Sequence, residues 1–137
     1  MSAFSQTTAT NVLAGVLLQA AYVVSTAPIK VKLFPSSTPP SESAAGTEIT
    51  PGGGYTAGGV AVTWNAPTVV TGTYSGRIGN ASLVISNMPT AASISHIDIV
   101  DSTATPRRLL WGALTTARST TSGDTLSFPS DSIVAQT

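Results

Sequence analysis

Residues 93–128 constrain the fold more than any other part of this chain, because they read as three β-strands in succession. Ile97 and Ile99 alternate with His96, Asp98 and Val100, the period-two pattern of a strand whose two faces meet different surroundings. Asp101-Ser102 then supplies turn chemistry, since short polar side chains can bond backbone two residues on. In the next strand Leu109, Trp111 and Ala113 share one face and Leu110 and Leu114 the other, so cover on both sides is expected. Gly123-Asp124 turns the chain into Leu126 and Phe128, which alternate with Thr125 and Ser127, and a flexible Ser/Thr segment is expected ahead of that turn. Three consecutive strands imply an all-β core.

The rest of the chain fits one domain, residues 1–137, a length at which a single core needs no staples. Residues 1–11 read as an N-terminal arm. Thr10 or Asn11 can cap a helix over 12–24, where Leu13, Leu17, Ala20 and Val24 follow helical spacing and Pro28 sets the outer limit. That segment is too short, and too interrupted by Gln19, to span a bilayer, and no Lys or Arg precedes it as in a secretory signal. The β domain covers 29–137. Ile29, Val31 and Leu33 alternate with Lys30, Lys32 and Phe34, and the two lysines suggest a solvated face or a defended sheet edge. Residues 35–54 form a Pro/Gly-rich loop through Pro35, Pro39, Pro40, Pro51 and Gly52-Gly53-Gly54, long enough to reach for a partner. Val60, Val62 and Trp64 predict a strand, Leu83, Val84 and Ile85 a buried one, and Ile133-Val134-Ala135 a short last one. The sum is an antiparallel β sandwich or barrel of about seven or eight strands with one short N-terminal helix.

Chemistry is sparse. His96 and Asp98 share a strand face, half of a triad, but no serine stands in a nucleophile-elbow motif and the chain has no cysteine. One histidine does not make a transition-metal site, and Asp98, Asp101 and Asp124 lack calcium-loop spacing. Asn80-Ala81-Ser82 satisfies the glycosylation pattern but reads as the start of a strand. No catalytic, metal or cofactor-binding residue is assigned, and no cofactor is expected. Six basic and six acidic residues cancel, and with 9% of positions charged the surface has no long-range field to gather nucleic acid or membrane. A soluble monomer usually carries charge at about a quarter of its positions, so much of this surface is expected to touch other subunits. The candidate interface residues are Arg107, Arg108 and Arg118, whose forked guanidinium groups suit such contacts, with Pro39, Pro40 and Tyr55 of the loop.

The strings Ser95-His96-Ile97-Asp98-Ile99-Val100-Asp101, Leu109-Leu110-Trp111-Gly112-Ala113-Leu114 and Gly123-Asp124-Thr125-Leu126-Ser127-Phe128, with Leu33-Phe34, Gly52-Gly53-Gly54-Tyr55 and Asn80-Ala81, resemble the small phage virion proteins commonly labelled phage tail fiber protein. The resemblance implies a virion component assembled in the host cytoplasm. Within that class, a short neutral chain suited to many modest contacts points first to a capsid decoration or cement protein, partnered by the major capsid protein lattice and by copies of itself. The alternative is a tail fibre or tail-tip accessory protein partnered by tail proteins. A further alternative is a carbohydrate-binding β module, with Trp64, Trp111, Tyr55 and Tyr74 as an aromatic platform.

Overall fold

The Ile-rich strand at the heart of the sequence pattern is also the centre of the structure. A computed structural model describes residues 3–19, 25–72 and 76–136. In chain order its elements are β1 (Ala3–Phe4), α1 (Gln6–Leu17), β2 (Lys30–Pro35), β3 (Val60–Ala61), β4 (Thr68–Val69), β5 (Gly76–Gly79), β6 (Leu83–Ile85), β7 (Ala92–Val100), β8 (Arg108–Thr120), β9 (Leu126–Phe128) and β10 (Val134–Gln136). They form three antiparallel sheets, ordered β1-β8-β7-β2-β3, β10-β5-β4 and β6-β9. The fold is therefore all-β, and among the described residues there is one short N-terminal helix and no closed barrel.

Alternation decides which side chains enter the core. Val31 and Leu33 of β2 lie opposite Ile99 and Ile97 of β7, and all four are buried. They meet Leu83, Ile85, Leu126, Phe128 and Ala135 from the two smaller sheets in a single apolar cluster. Ile94 has the parity of His96 yet is fully buried. A bulge explains this: Phe34 faces His96 and Pro35 faces Ile94, so Ser95 is an extra residue that turns the strand over. A second bulge sets Ile99 against Leu110 and Val100 against Arg108, which leaves Leu109 extra and carries Arg108 to the outer face beside Asp98.

Several expectations need correction. The helix starts at Gln6, within the stretch read as an arm, and its cap is Ser5 instead of Thr10 or Asn11. Ser5 accepts the Thr8 N–H at 3.2 Å and donates to the Arg108 carbonyl at 2.6 Å, a partner a hundred residues away. Helix ends at Leu17, and residues 20–24 of the expected span lie outside the described residues. The Val60, Val62, Trp64 pattern is divided between two sheets. Val60–Ala61 pairs with β2, whereas Trp64 bridges Asn80 and Asn65 N–H bonds the Gly79 carbonyl. β2 is an interior strand, so its lysines guard no edge; Lys32 pairs with Glu48 at 3.4 Å and lies 5.6 Å over the Phe34 ring. Finally, β8 runs on through the Ser/Thr segment to Thr120.

The 35–54 loop is tied down rather than loose. Ile49 N–H bonds the Leu33 carbonyl at 3.0 Å and the Tyr55 hydroxyl accepts the Leu33 N–H at 3.0 Å, so the loop and its end supply the pairing that β2 lacks beyond β3. The glycines there allow close approach. A Cβ on Gly53 or Gly54 would fall within 2.0 Å of the Asn87 or Ser86 carbonyl oxygen, so only glycine fits.

Candidate functional site

The residues expected at an interface divide into those that hold the molecule together and those that face outward. Arg108, half-buried, donates from Nε to Asp98 Oδ2 at 2.8 Å, from Nη1 to the Ser41 carbonyl at 2.6 Å and from Nη2 to the Ala44 carbonyl at 3.3 Å. Its guanidinium fork clasps the Pro-rich loop to the sheet. Arg107 pairs with Asp101 through Nη2 at 2.6 Å and Nε at 2.7 Å. Tyr55 is 1% exposed, and burial pushes its hydroxyl up, so it stays a neutral donor to Glu48. Tyr55 and Pro40, both named as candidate interface residues, are buried inside the chain. Pro39 and Arg118 are exposed, and among the described residues no acidic group pairs with Arg118.

Glu42 was given no role by the sequence pattern, yet it joins three parts of the chain. One carboxylate oxygen accepts the Gln6 N–H at 2.8 Å, at the start of α1, and the other accepts the Trp111 indole N–H at 2.9 Å on β8. Helix, loop and sheet meet at this side chain. The signal in the sequence is faint: an acidic residue inside a proline-rich stretch.

The buried carboxylates differ. Burial alone would raise Asp101, but N–H and hydroxyl donors from Arg107 and Thr103, with the Arg107 guanidinium, hold it well below the usual range. Burial pushes Asp98 up more than Arg108 pulls it down, and among the described residues its Oδ1 has no hydrogen-bond partner. His96 Nδ1 lies 2.8 Å from the hydroxyl of Ser95, its chain neighbour, while Asp98 is turned to Arg108, so these three do not form a proton relay. Among the described residues no three acidic or histidine side chains converge as metal ligands.

Among the described residues, Trp64, Trp111 and Tyr55 form no platform. Trp64 packs against the core, Trp111 is half-buried under Glu42, and Tyr55 is internal; Tyr74 lies outside the described residues. Asn80, fully buried, is a polar centre rather than a glycosylation site. Its Oδ1 accepts the Ile133 N–H at 2.7 Å, its Nδ2 donates to Ala81 and Pro129 carbonyls at 2.6 and 3.1 Å, and its carbonyl accepts from Asn65 and Asp131.

The most unusual surface belongs to α1. Leu13, Val16, Leu17 and Leu18 are 59%, 71%, 72% and 78% exposed, and Val12 is exposed beside them. Nothing charged occurs between Gln6 and Leu18 to relieve this hydrocarbon. Among the described residues, the hydrogen bonds that tie this segment to the body lie at residues 3–8, through β1, Ser5, Gln6 and Thr8. The helical spacing of Leu13 and Leu17 was legible; their outward direction was not, because it depends on which face β8 covers. No helix among the described residues is long and apolar enough to cross a membrane.

No curated protein matches the chain. Residues 3–136, which include α1, the Pro-rich loop and every sheet, match a family of phage fibre proteins: the chain belongs to the podophage GP4 fiber I protein gp80 family, and is a structural protein of phage tail-fibre type.

Proposed function

We propose that this chain is a non-enzymatic subunit of a tail fibre in the virion, acting through contacts between proteins rather than through chemistry on a small substrate. One observation carries the reading beyond the family match: the buried ionic groups are engaged inside the body, Asp98 with Arg108 and Asp101 with Arg107, while the outer side of α1 is bare aliphatic surface. Such a distribution gives a rigid block with adhesive hydrocarbon and little long-range field. The family match favours this location over decoration of the head. The sugar-binding reading loses its platform, since Trp64 and Trp111 are half-buried and Tyr55 is buried, each on a separate segment.

Quantitative mass spectrometry of purified particles, together with gold-labelled antibody against the chain, tests the proposal. A fibre subunit is present at a small fraction of the major capsid protein, with label on the tail. Near-equal abundance and label over the head would overturn it in favour of decoration. Tryptophan fluorescence should not respond to added glycans; a saturable change would restore the sugar-binding reading.

A further inference from the structure

We infer that the outer side of α1 is a self-docking surface, occupied by α1 of a second copy of this chain. The inference concerns the isolated chain and does not rest on where the protein sits in the virion. Val12, Leu13, Val16, Leu17 and Leu18 carry the exposed hydrocarbon, and Leu13, Val16 and Leu17 stand at the three- and four-residue spacings that build a ridge along a helix. The described residues leave them uncovered: α1 is held at its first turn by Ser5, Gln6 and Thr8, and this side is exposed.

Charge and area point to a second copy as the occupant. A two-fold contact sets a surface against itself, so any charge on it would face its own like charge. Residues 6–18 hold no charged side chain, and such a helix meets its own copy without that penalty. The exposures amount to about three whole aliphatic side chains, or on the order of 300 Å² of hydrocarbon per copy. Two copies would bury roughly 600 Å² of it, with Thr10 at the rim, so the contact falls below the ~1,200 Å² of stable specific interfaces and in the range of weak ones. An interface of that size associates weakly and reversibly, and many such contacts in parallel hold firmly.

Sedimentation velocity on the full chain, from about 1 µM to about 1 mM, tests this. The mean mass should rise with concentration, and the double variant Leu13→Glu, Leu17→Glu should keep the mass of one chain throughout. Because both side chains are exposed, the variant's circular dichroism and Tm should match the parent, which separates lost association from lost folding. Leu17→Glu mixed with Leu17→Lys should associate more than either variant alone. A parent chain that stays at monomer mass at the highest concentration overturns the inference, as does a well-folded double variant that associates like the parent. A monomeric parent that pellets with phosphatidylcholine vesicles would assign the face to lipid and also overturn it.

Discussion

Asn80 shows how much of this fold rests on single polar side chains. Its amide satisfies backbone groups of the chain near β6, β9 and β10 at once, all without solvent. Asn80→Ala should cost about 3–5 kcal/mol, since it strands a buried N–H and two carbonyls. Urea unfolding with an unchanged slope would measure this. At Asp101 the linkage has a definite sign. A carboxylate held below its unfolded value, about 3.9, contributes stability that is complete above that value and lost as pH falls through the folded one. Asp98, raised by burial, works in the opposite direction. Melting temperature should therefore fall on acidification below about pH 4, and Asp101→Asn should be less stable at neutral pH yet flatter in that acid range. None of these roles could be read from the sequence, where Asn80 looks like a strand start and Asp101 like one turn residue among many. Both depend on partners the fold brings together, across 53 positions for Ile133 and six for Arg107.

Among the elements, those with clean alternation were legible, as residues 30–33 of β2 and all of β9 show, because which face is buried follows from the pleat. In β7 the alternation located the strand, but residues 97–100 are buried on both faces. Boundaries set by distant partners were not legible. Ser5, Thr7, Thr8, Thr10 and Asn11 are all chemically able to cap a helix, and only the Arg108 carbonyl and Glu42 select Ser5. Likewise the Val60 to Trp64 alternation says that residues face a core but not which sheet they join, and the bulges at Ser95 and Leu109 leave no trace in composition. The candidate interface residues divide for the same reason: the arginines of the Arg107-Arg108 pair find their carboxylates within the chain. For the loop the expected outcome is concrete. Arg108→Met leaves the Asp98 carboxyl buried without its cation, a change on the order of 3 kcal/mol. Amide exchange at residues 41–45 should accelerate beyond the global effect, because three loop carbonyls lose their bonds to the guanidinium. Glu42→Gln, which keeps shape but weakens the acceptors, should speed exchange at Gln6 with a smaller loss of stability.

At the scale of the whole molecule, the described ion pairs are partly buried within the body and the exposed side of α1 is uncharged. Association through α1 should therefore persist or strengthen as sodium sulfate is raised, where contacts built on surface charge would weaken. Light scattering against salt concentration gives the readout, and dissociation on adding salt would mean that charged groups carry the contact. The carboxylate of Glu42 has a further consequence. With one oxygen on the helix's first amide and the other on the Trp111 indole, the heading of the helix and the path of the loop share one degree of freedom. A neighbour that tilts the rod thus also tugs the clasp at Arg108, and strain at the protruding end is felt in the middle of the largest sheet.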